Sequence, residues 1–197
     1  MFYEVTGNYY KHTSKNVMMR VFVAVEISEE GVINAILDFQ SKIKIKAKPI
    51  LPQNLHFTLQ FLGETSEEGV EKIRHSLKSI EFSKFKINFH GVGAFPSIRS
   101  PRVIWIGVDA DGGNFLKQLA GKVEKALLPL GFSQDKPFKS HITVFRIKNK
   151  VNNVSKELEK FEFNDFGSQV ISTIKLKQSI LTPQGPLYSD IEVINAI

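Results

Sequence analysis

Hydrophobic and polar residues alternate along several short stretches of the chain, as they do in strands that bury one face. The clearest stretch is 55–64, LHFTLQFLGE, where His56, Thr58 and Gln60 fall on one face. The opposite face is apolar and consists of Leu55, Phe57, Leu59 and Phe61. The pattern therefore predicts a strand that presents a histidine and a threonine side by side.

Other stretches predict the elements around this strand. β-branched and aromatic residues are typical of strands, whereas apolar residues three and four positions apart are typical of helices, and Ser28 and Ser66 are suited to helix N-caps. The further strands are predicted at 19–27, 42–48, 85–89, 102–108, 170–181 and 187–193. Helices are predicted at 28–39, 66–80, 114–128 and 153–161, and 91–97, GVGAFPS, predicts a turn.

The His-x-Thr arrangement occurs a second time at 141–144, HITV, where His141 and Thr143 share a face. Each copy follows a strand that opens with arginine, a helix and a connector containing proline. The repeat predicts an α+β, bilobal fold: two lobes of mostly antiparallel sheet with outer helices, related by an approximate two-fold axis, and a cleft between the two His-x-Thr strands. Residues 19–197 are predicted to form this single domain. Residues 1–18 lack periodicity and predict a flexible extension.

The amino-acid composition excludes several classes of functional site. The chain has no cysteine, which excludes disulfides, thiolate nucleophiles and zinc–thiolate clusters. It has no apolar run of the roughly 18 residues that a membrane span needs, so a cytoplasmic protein without membrane contact is predicted. Its net charge of +6 favours a polyanionic partner. The lysine row at 42–48 is interpreted as protection of an edge strand rather than as a phosphate-steering device.

Two His-x-Thr strands that face each other bring two imidazoles and two hydroxyls around one atom. Phosphorus in a phosphodiester suits this geometry, because the nucleophile enters roughly opposite the leaving oxygen. One imidazole can accept the nucleophile's proton while the other protonates the leaving group, and the threonines can hold the remaining oxygens. The neighbourhood has no spacing typical of metal ligands, so neither a metal nor a cofactor is predicted. Glycine patterns of serine hydrolases, Walker loops and Rossmann folds are also missing from the sequence.

Six motifs along the chain, taken in order, resemble the two-histidine phosphoesterase superfamily, specifically the RNA 2′,3′-cyclic phosphodiesterases, also called 2′-5′ RNA ligases. They are MRVFVAVEI, NLHFTLQFLGE, GVGAFPS, PRVIWIGV, PFKSHITVFR and SILTPQGPLY. The resemblance implies hydrolysis of a terminal 2′,3′-cyclic phosphate to a 2′-phosphomonoester without a metal. It also implies that His56 donates a proton to the leaving 3′-oxygen and that His141 accepts one from water. The motifs themselves are locally equivalent and do not assign these roles.

The resemblance adds Arg146 to Thr58 and Thr143 as candidate phosphate-binding residues. Strict alternation would place Arg146 on the face opposite His141, so this role requires a bulge or a strand end. Phe22 lies at an aromatic position that could stack a base, with core packing as the alternative. Gln60 departs from the lysine common in the family and is a candidate for a substrate difference.

The expected partners are RNA ends that carry a 2′,3′-cyclic phosphate, with tRNA fragments among the candidates, and a monomer is expected. Ligation through a 5′-hydroxyl would use the same site in the reverse direction. Two alternatives stay open: a phosphoesterase acting on small cyclic nucleotides, and a non-catalytic module that binds RNA ends.

Overall fold

The computed structural model describes residues 17–148 and 153–197. Its helices and strands are β1 (Met18–Glu26), α1 (Glu30–Lys42), β2 (Lys48–Pro49), β3 (His56–Ser66), α2 (Glu67–Lys78), β4 (Phe85–Phe95), β5 (Val103–Val108), α3 (Ala110–Leu127), β6 (Ile142–Arg146), α4 (Ser155–Leu158), β7 (Asp165–Ile171), β8 (Thr173–Thr182) and β9 (Gly185–Asn195). Most of the predicted 1–18 extension lies outside the described residues, and Met18 already belongs to β1.

The strands form two antiparallel sheets, in the orders β3-β1-β8-β9 and β2-β6-β5-β4-β7. This confirms the predicted α+β class. Each His-x-Thr segment lies along a strand that pairs with the arginine-led strand of its own half, β3 beside β1 and β6 beside β5. The two strands β3 and β6 also contact each other across the boundary between the sheets. The sheet topology therefore brings the two motifs together.

The sheets exchange strands between the two halves of the chain. β4 follows the first His-x-Thr strand in sequence but pairs with β5 in the second sheet, whereas β8 and β9 return to the first sheet. In each sheet the strand on the far side of the arginine-led strand therefore comes from the other half. Strand β8 lies beside β1 as β4 lies beside β5. The approximate symmetry is therefore present in the order of the strands as well as in the sequence.

Three predicted elements were wrong. The glycine-rich segment that predicted a turn is the second half of β4, where Gly91, with φ of +70°, lies at a bulge between His90 and Val92. The lysine row forms strand only at Lys48–Pro49. The strand predicted at 170–181 is two strands, since β7 ends at Ile171 and β8 begins at Thr173. Glycine composition alone could not distinguish a bulged strand from a turn.

One of the two predicted serine caps is confirmed. Ser66 precedes α2, and its hydroxyl accepts a hydrogen bond of 3.2 Å from the N–H of Gly69. Ser28 has a different place, because α1 begins at Glu30, and the N–H groups of Ser28 and Glu29 donate to the side-chain oxygen of Gln169. The amide of Gln169 on β7 thus fixes the segment that leads into α1, and α1 itself has no side-chain cap.

A continuous core joins the helices to one face of each sheet. On β3 this face carries Phe57, whose ring stacks 5.8 Å from Phe89 of the second sheet. The opposite face of each sheet carries the motif residues. Along 17–148 and 153–197, no helix is long and apolar enough to cross a membrane.

Candidate active site

His56 lies at the start of β3 with a fixed ring orientation. Its Nδ1 atom is 2.8 Å from the carbonyl oxygen of Asn54. Because a carbonyl can only accept, Nδ1 carries the proton, and Nε2 is the nitrogen available for proton transfer. Thr58 lies opposite Ala24 of β1 and follows His56 on the same face.

His141 has the same arrangement in the other sheet. Its Nδ1 atom donates to the carbonyl oxygen of Lys139 at 2.7 Å, again two residues before the histidine. Thr143 follows on β6, opposite Trp105 of β5. The two imidazoles are therefore held in the same tautomer by the same local contact.

A bulge in β6 turns Arg146 toward the site. Thr143 pairs with Trp105 and Phe145 with Ile104, so Val144 is the extra residue. Arg146 then lies opposite Val103, on the face that carries Thr143. The bulge that the sequence required for Arg146 is present, and the charge of Arg146 reaches far enough across the cleft to lower the pKa of His56.

The same bulge occurs in β3 and corrects two predictions. Thr58 pairs with Ala24 and Gln60 with Val23, so Leu59 is the extra residue. Gln60 consequently shares the core face with Val23, is 3% exposed, and both polar atoms of its amide lack a hydrogen-bond partner among the described residues. Phe61, predicted to share the core face with Leu59, is instead 74% exposed and lies beside Phe22.

Two glutamines that the sequence reasoning missed hold the bulges. The side-chain amide of Gln40 donates to the carbonyl oxygen of Val144 at 2.9 Å. The amide of Gln134 donates to the carbonyl oxygen of Leu59 at 3.4 Å. Each glutamine comes from outside the strand that it supports, so no local pattern could have identified it. Each glutamine thus binds the extra residue of a bulge, and that residue determines which face the following side chains occupy.

The His56 ring packs against two aromatic rings, Phe22 at 5.1 Å and Tyr188 at 5.3 Å between ring centres. Phe22 is 3% exposed, because Phe61 and Tyr188 also cover it. A ring so enclosed has no free face for a base. The stacking role predicted for Phe22 is therefore corrected to packing support for His56.

Beside these rings lies a network of four charged side chains, which we call the lysine–carboxylate network. Lys177 contacts both Glu26 and Asp190, and so does Lys175, whose ammonium is 2.7 Å from Asp190. Lys177 is 3% exposed and lies opposite Phe22, on the face that carries His56. Two positive charges are thereby matched by two negative ones.

The carboxylates of this network stay ionised. Burial by itself would raise the pKa of Glu26 and of Asp190, but the hydrogen bonds from Lys175 and Lys177 outweigh burial and leave both pKa values below their usual range. The partners are 13 to 151 residues apart in sequence. The sequence reasoning missed the network for that reason.

Two aromatic rings also lie beside His141. The ring centre of Phe95 lies 5.0 Å from that of His141, and the centre of Trp105 lies 6.4 Å from it. Phe95 lies opposite Val103 and Gly93 opposite Trp105. In the first sheet, the positions equivalent to those of Phe95 and Gly93 are occupied by Lys177 and Lys175. Equivalent histidines therefore have chemically different surroundings.

The pKa values of both histidines are lowered. Burial, followed by the charges of Lys177 and Arg146, lowers the pKa of His56 to about 4. Burial, with the charge of Lys139, lowers the pKa of His141. A bound anion would act in the opposite direction, because negative charge favours imidazolium. In the part of the chain that the structure describes, no three His, Asp or Glu side chains gather in a way that could hold a metal ion.

The family model of the LigT-like phosphoesterases matches the chain twice, over 25–105 and 106–188. The two matches divide the chain into halves that each contain one His-x-Thr strand. The RNA 2′,3′-cyclic phosphodiesterase of Archaeoglobus fulgidus is 44% identical over 89% of this chain and 99% of its own length. The enzyme of the same description from Aeropyrum pernix is 40% identical over 77% of this chain and 88% of its own length.

Solved structures have the same fold. A crystal structure of a Thermus thermophilus protein matches with a TM-score of 0.74 and 32% identity, over 90% of this chain and 97% of the other. Escherichia coli LigT complexed with 3′-AMP matches with a TM-score of 0.74 and 23% identity, over 91% of this chain and 99% of the other. With its duplicated His-x-Thr strands and these relatives, the chain belongs to the LigT-like phosphoesterase family.

Proposed function

We propose that this protein is an RNA 2′,3′-cyclic phosphodiesterase, which opens the cyclic phosphate at an RNA end to a 2′-phosphomonoester by acid–base catalysis with two histidines. One observation carries the proposal: two His-x-Thr segments with identically fixed imidazoles lie on strands of different sheets that contact each other. Relatives with that enzymatic description, up to 44% identical, support it.

In the proposed reaction, water attacks phosphorus on the side opposite the 3′-oxygen. Nε2 of His141 takes the water's proton, the bond between phosphorus and the 3′-oxygen breaks, and Nε2–H of His56 protonates that oxygen. The Nδ1–H of each ring stays bonded to its backbone carbonyl throughout. Proton exchange with solvent restores the starting charge of both rings when the product leaves.

Phosphate binding is the proposed task of Thr58, Thr143 and Arg146. The two hydroxyls flank the cleft from opposite sheets, and the guanidinium can hold two phosphate oxygens at once. The phosphate's negative charge would also raise the pKa of His56 from about 4. Substrate binding thereby charges the imidazole that has to act as the acid.

The proposal extends to the setting of the reaction. We expect hydrolysis to need no metal or cofactor, and the protein to act as a monomer in the cytoplasm on RNA ends such as those of tRNA fragments. The net charge of +6 supports an anionic polymer as the substrate. A 5′-hydroxyl in place of water would give a 2′-5′ linkage at the same site.

The test is an oligonucleotide with a terminal 2′,3′-cyclic phosphate, incubated with the protein in EDTA. The proposal expects turnover that EDTA leaves unchanged and a product with its phosphate on the 2′-oxygen. His56→Ala and His141→Ala should abolish most of this turnover, and their matched control is His75→Ala, which removes an exposed imidazole on α2. An inactive protein that still binds the oligonucleotide would indicate a binding module, and faster opening of a mononucleotide ring would indicate a small-molecule enzyme.

A further inference from the structure

Two cations lie side by side on the cleft face of the second sheet. Lys48 of β2 pairs directly with Arg146 of β6, so their side chains leave the sheet on the same face. Both residues are exposed, and neither has a carboxylate partner among residues 17–148 and 153–197. Like charges directly opposite each other destabilise a sheet. The stability of the fold therefore does not explain this pair.

The cations on the first sheet and on α2 are matched by carboxylates. Arg20 of β1 pairs with Glu64, and Arg74 and Lys78 of α2 both contact Glu192. The two lysines of β8 belong to the lysine–carboxylate network. The pair on the cleft face of the second sheet instead leaves its positive charge for a ligand.

The ammonium of Lys48 reaches the turn between β8 and β9. It donates to the carbonyl oxygen of Gln184 at 2.5 Å. Two residues later, the carbonyl oxygen of Pro186 accepts a hydrogen bond of 3.1 Å from the side-chain amide of Asn54. The backbone carbonyl of Asn54 in turn holds Nδ1 of His56. These contacts place Lys48 on the His56 side of the boundary between the sheets.

Edge protection, the role predicted for the lysine row, does not explain the contact of Lys48. β2 is an edge strand, but a lysine that only keeps other chains away extends into solvent. Lys48 is instead bound to a backbone carbonyl of the turn that joins two strands of the other sheet. Among the described residues, two of its three N–H donors have no acceptor. An oxyanion between Lys48 and Arg146 would use these donors and remove the repulsion between the two cations.

The direction of the RNA chain indicates which anion this is. In the proposed reaction the terminal ribose lies on the His56 side, because His56 protonates its 3′-oxygen, and Arg146 binds the cyclic phosphate. The chain continues from the 5′-carbon of the same ribose to the next phosphate. Side chains directly opposite on neighbouring strands begin about 5 Å apart, and two long cations can spread further to hold two consecutive phosphates.

We propose that Lys48 binds the phosphodiester that precedes the terminal nucleotide, so that the preferred substrate is an oligonucleotide with a cyclic end rather than a cyclic mononucleotide. This inference rests on the proposed function and adds a second phosphate site to it. Lys48 contacts a part of the substrate that does not react. It therefore contributes binding energy without taking part in proton transfer.

The test compares two dinucleotides that end in a 2′,3′-cyclic phosphate. One has a phosphodiester between its nucleosides, and the other has a methylphosphonate, which is similar in shape but uncharged; the first ribose carries a 2′-O-methyl group in both. Wild type is expected to open the phosphodiester-linked dinucleotide with a kcat/KM about fivefold to tenfold higher. An about fourfold rise in salt should lower this ratio about twofold to threefold, because the charged dinucleotide makes one more phosphate contact.

In Lys48→Gln, the ratio between the two dinucleotides is expected to fall to about one. Its kcat/KM for adenosine 2′,3′-cyclic phosphate, which lacks the linkage, should stay within about twofold of wild type. Lys117→Gln is the matched control, because it removes the same charge from the exposed side of α3, a helix that packs on the core face of the sheets. It is expected to keep the wild-type ratio.

The outcomes separate the two proposals. No opening of any cyclic phosphate by wild type would overturn the proposed function. Equal kcat/KM for the charged and uncharged dinucleotides would overturn the second phosphate site alone, and this wild-type comparison stands even if a variant does not fold. A ratio that Lys48→Gln leaves unchanged would assign the preference to another cation and overturn the role of Lys48. An equal loss on dinucleotide and mononucleotide would also overturn it, because Lys48 would then act only by placing Arg146.

Discussion

His56 is expected to make the stability of the fold depend on pH. Its pKa is about 4 in the folded protein, against 6.5 for an unperturbed histidine. Well above pH 6.5 the imidazole is neutral in both states. As the pH falls from 6.5 toward 4, the unfolded chain binds a proton that the folded protein does not, so the free energy of unfolding decreases through this window.

The size of the effect follows from the shift. One pKa unit corresponds to about 1.4 kcal/mol, so the full shift would give about 3 kcal/mol. Because some of the His56 side chain reaches solvent, we expect about 1 to 3 kcal/mol, which is a large share of a typical stability of about 5 to 15 kcal/mol. The lowered pKa of His141 acts with the same sign.

Urea denaturation between pH 4.5 and 7.5 measures this contribution. In His56→Gln, which cannot be protonated, the free energy of unfolding should fall less over this range than in wild type, by about 1 to 3 kcal/mol. Protonation of the carboxylates in the lysine–carboxylate network also lowers the free energy of unfolding in acid, but it does so in both wild type and His56→Gln. His75→Gln controls for loss of an exposed imidazole. Equal pH slopes in wild type and His56→Gln would refute the reasoning.

Three further outcomes are expected. Arg146→Lys should lower kcat/KM for the cyclic phosphate by about tenfold or more, because an ammonium lacks the planar pair of N–H donors with which a guanidinium binds two phosphate oxygens. An unchanged value would remove Arg146 from the site. Thr58→Val and Thr143→Val should each lower kcat/KM with little change in folding, and steady-state kinetics beside circular dichroism would reveal a purely structural effect instead. Gln60→Met should raise the free energy of unfolding by about 1 to 3 kcal/mol in urea, because it removes a buried amide whose polar atoms lack partners among the described residues; a less stable variant would show that the amide is satisfied.

The motif residues could be predicted because they are local. His56 with Thr58 and His141 with Thr143 are spaced for one face of a strand, and the spacing repeats with the elements around it. No long-range knowledge is needed to see that two such strands would form one site. The α+β class followed from the same periodicities.

The side chains beyond each threonine could not be placed by alternation. One extra residue in each strand reverses the faces, so Arg146 turns into the cleft, Gln60 into the core and Phe61 outward. The bulges are supported by Gln40 and Gln134, which are distant in sequence. The sequence of a strand does not show which distant residue will support a bulge in it.

The chemical difference between the surroundings of the two histidines could not be predicted from the sequence either. Lys177 and Phe95 occupy equivalent places, but each lies on a strand that the exchange between halves brings in from the other part of the chain. Two identical motifs thus acquire different neighbours, since both histidines contact aromatic rings but only His56 lies beside the lysine–carboxylate network among the described residues. Such surroundings, rather than the motifs, make the two histidines chemically different.

The most direct measurement of the two-histidine mechanism uses a cyclic substrate whose 3′-oxygen is replaced by sulfur. A thiolate leaves without a proton, so this substrate does not need an acid. His56→Ala should lose about a hundredfold or more on the oxygen substrate and recover most of that loss on the sulfur substrate, whereas His141→Ala should be slow on both. Recovery of His141→Ala in place of His56→Ala would contradict the assigned roles, and full activity of either variant on the oxygen substrate would contradict the mechanism itself.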